Sequence, residues 1–315
     1  MHPAFSVIFL TTLIGVAQGL FLAVFAIDMV SYLGLSELPM PSFVIAGCAL
    51  SVLFAALGLL ASFWHLGRPE RAWRAATMWR TSWLSREVIV LPAFIGVTGL
   101  WLLAEWQGAG GGLLTLLRLA AIALALLLWL CTAMIYACLK FIQEWAHPLT
   151  LVNYTLLGLA SGLGLAAALA ALTGAAAFAG AATGWALAAT LAAAVFRVAS
   201  LMRNARIKPT STLASATGIR GPNLRQTSMG MSAGAFNTRE FFHGKPMWFV
   251  RRARLATLLL AFAVPALLLA LALASGAAIA LVAAVAVQTV GLLAERWLFF
   301  AQARHPQNLY YQVVS

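Results

Sequence analysis

Charged residues are scarce in this chain. Asp, Glu, Lys and Arg make up only 9% of its 315 residues, whereas 63% of the residues are hydrophobic, and the mean hydropathy is +0.94. A soluble globule of this length needs far more polar surface than so few charged residues can supply. The composition therefore excludes a soluble protein and indicates an integral membrane protein.

Cysteine is also rare. The three cysteines, Cys48, Cys131 and Cys138, lie inside apolar runs, and no two of them have the C-x-x-C spacing. This pattern excludes a disulfide framework and gives no support for iron–sulfur or zinc ligation. We expect the three thiols to be buried as small apolar side chains, and we expect no iron–sulfur cluster in this chain.

Acidic residues are outnumbered by basic ones. There are 8 Asp and Glu against 20 Lys and Arg, for a formal net charge of +12. In a soluble protein this excess would suggest a nucleic-acid partner. Here the basic residues lie between the apolar runs, where membrane topology and lipid headgroups explain them. No nucleic-acid partner is expected.

The apolar residues fall into long runs. A membrane-spanning helix takes about 20 of them, and an Ala- and Leu-rich composition with few β-branched residues favours helices over a barrel. We predict an all-α integral membrane protein, a single polytopic domain of residues 1–315 whose eight transmembrane helices can divide into two four-helix halves. The predicted spans are approximately 5–30, 42–65, 86–104, 113–138, 149–172, 176–201, 253–275 and 277–300.

The fifth and sixth runs are rich in alanine and glycine. Gly158 and Gly162 in the fifth run, and Gly180 and Gly184 in the sixth, have the small-x-x-x-small spacing that lets helices approach closely in membranes. We predict close helix packing at both pairs.

The basic residues also predict the orientation. With eight spans, all but one of the 20 Lys and Arg lie on the side that carries both termini, and the exception is Arg118. Basic loops face the cytoplasm. We therefore expect a multi-pass protein of the bacterial inner membrane with both termini cytoplasmic.

Histidine is absent from the opposite side. A pair of b haems that carries electrons across a bilayer needs axial histidines at both depths, so the pattern does not favour haem b, although a single haem on the basic side stays an alternative. The five histidines are His2, His65, His147, His243 and His305.

Polar chemistry is concentrated in residues 64–87, between the second and third runs. This segment holds five arginines, four tryptophans, two glutamates and one histidine. Pro69 predicts the start of a short helix and Ser85 the N-cap of the third span. Arginines lie on one face of the short helix and alanine and tryptophan on another, which is typical of a helix in the plane of the membrane surface.

This position suits a lipid-soluble ligand that reacts at its polar head, and quinone is the leading candidate. His65 can donate and accept a hydrogen bond and titrates near neutral pH, and Glu87 can carry a proton. Each residue also has a simpler explanation. Glu87 would be favourable in the first turn of a helix because of the helix dipole, the arginines could fix orientation and bind headgroups, and His65 could be structural.

Residues 202–252 form the longest polar segment, far longer than an ordinary loop. One interpretation is a solvated, partly disordered loop. The alternative is a cytoplasmic docking surface for a partner, because the segment carries aromatic residues that are too apolar for a free tail. The predicted docking residues are Arg220, Arg225, Phe236, Arg239, Phe241, Phe242 and His243.

The segment HLGRPERA at 65–72, with SRE at 85–87, resembles the membrane-anchor subunits of the dimethyl sulfoxide reductase type, the DmsC family. The resemblance implies a complex of a molybdopterin catalytic subunit, an iron–sulfur subunit and this anchor, which exchanges electrons with ubiquinone or menaquinone. It also implies quinone binding at His65 and Glu87. The full set of predicted quinone-binding residues is His65, Glu87, Arg68, Arg86, Trp64, Trp83 and Arg71.

Further stretches are similar to a subgroup of that family, the anchors of cytoplasmic sulfite dehydrogenases. The subgroup implies an oxidoreductase complex in which electrons from sulfite oxidation pass through the iron–sulfur subunit to quinone, with no molybdenum chemistry in this chain. These stretches are MHPAFSVIF at 1–9, YACLKFIQEW at 136–145, NYTLLGLASG at 153–162, FNTREFFHG at 236–244 and ERWLFFAQARHPQNLYYQ at 295–312.

Two alternatives stay open at this point. A quinol-oxidising anchor of a dimethyl sulfoxide or related reductase would run electrons the other way. A secondary transporter would instead need ionisable residues or broken helices near the bilayer midplane, and the middles of the runs are almost purely apolar.

Overall fold

The computed structural model describes residues 4–34, 41–64, 66–208, 211–221, 224 and 246–304. Within this part of the chain the regular structure is helical throughout. The helices are α1 Phe5–Tyr32, α2 Pro41–Phe63, a 3₁₀ helix Pro69–Ala76, α3 Trp83–Trp106, α4 Gly112–Ala137, α5 Pro148–Leu172, α6 Ala176–Ala205, α7 Leu213–Thr217, α8 Met247–Leu258, a π-helical turn Leu259–Ala263, α9 Val264–Ser275 and α10 Ala278–Ala301.

All eight predicted spans are confirmed as helices that are long and apolar enough to cross a membrane. The seventh span is the least regular, because α8, the π-helical turn and α9 form one helical rod over 247–275. The α-helices on either side of the turn continue directly into it. Because most spans are apolar on every side, lipid and protein neighbours can both contact them.

The packing follows the predicted division into halves. One apolar core is built mainly by α1, α2, α3 and α4, and a second is built by α5, α6, α9 and α10. The two halves meet mainly where α1 packs along α5, and α4 also contacts α5. Successive spans are antiparallel, so the bundle has a basic end, where α1, α3 and α5 begin, and an opposite acidic end.

Glycine lets α1 and α5 approach to backbone contact. A side chain on Gly162 would overlap the backbone of Gly19, and one on Gly158 would press on Gly15 and Trp129. The prediction of close packing is confirmed for this pair of glycines. It is wrong for Gly180 and Gly184, which have no neighbouring atom within 4 Å of an added Cβ among the described residues, because that face of α6 is unpartnered.

Arg118, the basic residue on the otherwise acidic side, is compensated at the acidic end. Its Nη2 atom lies 2.8 Å from Asp28 Oδ2 and 2.8 Å from Glu105 Oε1, and Trp101 Nε1 donates a hydrogen bond of 2.8 Å to the same Glu105 oxygen. The three charged residues come from the ends of α1 and α3 and the start of α4. Their pairing fixes the positions of these three helices relative to one another along the bundle axis.

Two local predictions are corrected. The N-cap of α3 is Ser82, whose Oγ accepts a hydrogen bond from the backbone N–H of Ser85, so Ser85 lies one turn inside the helix. Cys138 is exposed, whereas Cys48 and Cys131 are buried as expected, because Cys138 is the first residue after α4 and no helix covers it.

Candidate functional site

The segment from Trp64 to Glu87 forms a short link between α2 and α3 at the basic end. Pro69 begins its 3₁₀ helix, as predicted, and no residue of that helix is buried. Arg68 and Arg71 are exposed, and Arg71 makes only a loose ion pair of 3.9 Å with Glu70. These arginines are therefore available to groups outside the chain. Location in the plane of the membrane surface stays a prediction.

Arg86 holds the end of this segment to the start of α3. Its Nε donates 2.9 Å to the carbonyl oxygen of Trp79, and its Nη2 donates 2.8 Å to that of Arg80. The guanidinium also lies over the Trp83 ring, 4.2 Å from the centroid, which is cation–π geometry. Arg86 thus supports the site structurally, and its predicted contact with quinone stays a prediction.

Glu87 is the buried acid of the segment. Its side chain points between helices and is only 5% exposed, and Thr132 on α4 donates a hydrogen bond of 2.5 Å from Oγ1 to Glu87 Oε1. Among the described residues it has no ion-pair partner. A carboxyl group buried in this way is costly to keep charged, so it can hold or release a proton when a ligand brings opposite charge or a hydrogen bond.

His65 lies outside the described residues, so its distance from Glu87 stays a prediction. Its neighbours show where the chain leaves α2: the Trp64 side chain is 82% exposed, and the Leu66 N–H bonds the carbonyl of Phe63. Trp83, by contrast, packs partly buried against the core of the first half. Of the predicted quinone-binding residues, the structure brings Arg86 over Trp83, whereas Glu87, in the same turn of α3, bonds Thr132 on α4.

A buried charged cluster joins α5, α6 and α10 near the basic end. Arg197 Nε lies 2.9 Å from Glu295 Oε1, and Arg296 Nε lies 3.4 Å from Glu295 Oε2. The Arg296 guanidinium also stacks 3.8 Å over the centre of the Tyr154 ring. All three charged side chains are almost completely buried. Because arginine stays protonated, two guanidinium groups surround one carboxylate and the cluster carries one net positive charge.

Sequence reasoning missed this cluster because it expected the basic residues to lie between the apolar runs. Arg197 lies eight residues before the end of α6, about 12 Å along the helix axis. Arg197 therefore lies inside its helix and not between the apolar runs. An arginine inside a 30-residue helix was the available signal, but its partner lies far along the chain on α10.

A small polar cavity lies between Glu87 and this cluster. It has a volume of about 10 Å³ and is lined by residues of α1, α4, α5 and α10. Thr132, the partner of Glu87, lines one side, and Tyr154 and Arg296 line another. The remaining polar residues in its wall are Thr11, Thr12, Gln18, Trp129 and Ser161.

His147 is the histidine that the described residues include, and it serves the fold. Its Nδ1 accepts a hydrogen bond of 3.1 Å from the backbone N–H of Leu149, which caps α5. Desolvation, and secondly the charge of Arg203, lower the pKa of His147 below its ordinary value of 6.5. The neutral, accepting form of the ring is therefore favoured. His2, His243 and His305 lie outside the described residues.

The predicted docking segment is described only at its two ends. Arg220 is exposed and follows α7, a short helix that begins with a capping box between Thr212 and Ser215. The other predicted docking residues, Arg225, Phe236, Arg239, Phe241, Phe242 and His243, lie outside the described residues.

Comparison with known proteins gives one matching family and a similar protein. The family described as DMSO reductase anchor subunit (DmsC) matches residues 1–301. One of the subunits of the sulfite dehydrogenase of Allochromatium vinosum is 47% identical, and the match covers 100% of both chains.

Proposed function

Because the chain belongs to the DMSO reductase anchor subunit (DmsC) family, we propose that it binds quinone beside Glu87 and anchors an oxidoreductase complex in the bacterial inner membrane. The partners would be a molybdopterin catalytic subunit and an iron–sulfur subunit on the cytoplasmic face. The similarity to a protein of a sulfite dehydrogenase supports sulfite as the electron donor of that complex. Electrons would then pass through the iron–sulfur subunit to quinone.

The observation that carries this proposal is the environment of Glu87. The carboxyl group lies inside the bundle at the basic end, bonded to Thr132, next to a segment rich in arginine and tryptophan. A lipid-soluble ligand can reach this depth from the membrane, whereas a polar substrate would lose its hydration.

The residues at this position fit a quinone head. Bound quinone would supply a carrier that takes up two electrons and two protons. Glu87 can hold the proton at its free oxygen while Thr132 occupies the other one. His65, which follows the last turn of α2 in sequence, can donate to a carbonyl oxygen. The indole of Trp83, held by Arg86, offers a flat apolar wall.

The exposed arginines have a separate role in this proposal. Arg68 and Arg71 lie outside the buried part of the site, so they would bind lipid phosphates or acidic groups of the iron–sulfur subunit at the membrane surface. Their positive charge would also stabilise negative charge that develops as quinone is reduced. The same anchor could serve a reductase that oxidises quinol, because the direction depends on the redox couples at both ends.

The test is sulfite-to-quinone electron transfer by the purified complex in lipid. Replacing Glu87→Gln removes the proton carrier but keeps the hydrogen bond to Thr132, and we expect quinone-linked turnover to fall about 100-fold. Glu70→Gln is the matched control, because Glu70 belongs to the same segment but is exposed. His65→Ala should reduce turnover by a similar factor.

Glu87→Gln and His65→Ala should both still copurify with the partner subunits. In both variants, sulfite oxidation with a soluble electron acceptor should be unchanged. Unchanged quinone-linked turnover in Glu87→Gln would remove Glu87 from the site. Solute uptake by the isolated chain in vesicles, without partner subunits, would instead favour the transporter alternative.

A further inference from the structure

The cavity between Glu87 and the charged cluster has more polar atoms than the described part of the chain satisfies. Thr12 Oγ1, Gln18 Oε1 and Trp129 Nε1 are buried without a hydrogen-bond partner there, and all three residues line this one cavity. Buried polar groups in proteins are nearly always paired, either with protein or with ordered water. Three unpaired atoms around one space therefore point to a missing partner in that space.

Their chemistry matches a water molecule. Trp129 Nε1 can only donate, Gln18 Oε1 can only accept, and a threonine hydroxyl does both. The amide nitrogen of Gln18 already donates a hydrogen bond of 2.8 Å to the carbonyl oxygen of Ala125. This bond fixes the orientation of the amide, so Gln18 Oε1 is the atom left to accept. Water accepts two hydrogen bonds and donates two, so one molecule can serve a donor and acceptors together.

The size of the cavity agrees with one molecule. Its volume of about 10 Å³ is close to the smallest space that holds a single water. The Trp129 ring lies close against Gly158, where an added Cβ would come within 2.9 Å of Trp129 Nε1, so the ring has little room to turn.

We propose that this cavity binds an ordered water that connects Thr132, and through it Glu87, to Trp129 and Gln18. The hydroxyl of Thr132 donates to Glu87, so its free lone pair can accept a hydrogen bond from the water. Because the water donates to Thr132 Oγ1, the hydroxyl proton of Thr132 is directed towards the Glu87 carboxylate. Thr132 is then a positioning residue for Glu87, and the water is what orients Thr132.

The water also connects Glu87 to the charged cluster. Tyr154 and Arg296 line the same cavity, and Arg296 pairs with Glu295. The net positive charge of that cluster therefore faces a polarisable chain of water and hydroxyl that ends at Glu87. Hydrogen bonds in such chains strengthen one another, so a change at one end alters the bond at the other.

A density map of the full chain in lipid, at a resolution that shows ordered water, tests the site directly. We expect a peak inside the cavity, within about 3 Å of Trp129 Nε1 and of Gln18 Oε1 or Thr132 Oγ1. An empty cavity, or side chains that turn and pair with one another, would overturn the proposal.

Infrared spectroscopy tests the connection to Glu87. The carboxyl band of Glu87 is assigned as the band lost in Glu87→Gln. Trp129→Phe removes the donor to the water without touching Glu87, and we expect it to shift that band. Trp185→Phe is the matched control, since Trp185 is an exposed tryptophan of α6, and it should leave the band in place.

The Glu87 band should also shift in Gln18→Leu, which removes the acceptor in α1. A band that stays in place in both Trp129→Phe and Gln18→Leu would show that no water connects these residues to Glu87. Neither measurement uses quinone or the partner subunits, so failure here is distinguishable from failure of the proposed quinone site.

Discussion

At the scale of single residues, charge is divided between two kinds of environment. Buried charged groups inside the bundle pair closely, as Arg118 does with Asp28 and Glu105. Charged groups on the link between α2 and α3 pair loosely, as Arg71 does with Glu70. Removing one partner of a buried pair leaves an uncompensated charge, whereas an exposed pair is replaced by water. The buried residues thus support the fold, and the exposed ones stay available for binding.

The Arg118 pairs allow a test of this difference. Arg118→Ala leaves two acidic groups facing each other at the acidic end, and we expect the free energy of unfolding to fall by roughly 3 kcal/mol. Unfolding in mixed detergent micelles, followed by circular dichroism, measures the change.

The control is Arg71→Ala, which breaks the exposed pair and should change stability by less than about 1 kcal/mol. Equal losses in the two variants would mean that the acidic-end contacts do not hold α1, α3 and α4 together.

At the scale of helices, glycine decides which pairs approach closely. Gly19 on α1 and Gly162 on α5 place backbone against backbone, so the two halves of the bundle meet without intervening side chains. The second pair of glycines, on α6, has the same spacing but no such partner among the described residues. Spacing alone therefore predicts the capacity for close packing, and the neighbouring helix determines whether it is used.

We predict opposite outcomes for alanine at these two places. Gly162→Ala adds a methyl group that overlaps the backbone of Gly19, and the helices must separate, at a cost of about 2 kcal/mol. Gly184→Ala meets no described atom within 4 Å, and its higher helix propensity should leave stability unchanged or raise it by up to about 1 kcal/mol.

Thermal aggregation of the two purified variants in detergent compares them with the unmodified chain. A Gly162→Ala protein as stable as Gly184→Ala would contradict the close α1–α5 contact.

At the scale of the whole molecule, the chain is asymmetric between its two ends. At the acidic end, Arg118 pairs with Asp28 and Glu105. The basic end carries Glu87, the charged cluster and the long segment 202–252. A family of anchor subunits implies catalytic partner subunits. We expect these partners to bind at the basic end, which has exposed positive charge and the segment 202–252.

Deleting residues 215–240 tests where the partners bind. We expect the iron–sulfur and catalytic subunits to appear in the soluble fraction while the shortened chain stays in the membrane, because the spans are untouched. Immunoblots of membrane and soluble fractions measure this. A Gly/Ser linker of equal length is the control for chain connectivity and should also release the partners. Retention of the subunits by both variants would show that the segment is not the docking surface.

The fold was largely predictable from the sequence, and the site only in part. Every apolar run of sufficient length became a span, since hydrophobic length and membrane thickness are local properties. Glu87 was a predicted site residue because it ends an unusually polar segment and because the family resemblance implies quinone binding there. Its partner Thr132 and the charged cluster could not be predicted, because no local pattern states which faces of α4, α5, α6 and α10 turn towards each other.

The amino-acid sequence by itself determined that this is a helical membrane protein, how many times it crosses, where its spans begin and end within a few residues, and to which family it belongs. Only the tertiary structure decided that Arg118 is paired, that Arg197 and Arg296 share Glu295, and that a polar cavity separates that cluster from Glu87. The physical reason is that a charge buried in a membrane is costly unless it is paired, and the partners of Arg118 and Arg197 lie on other helices.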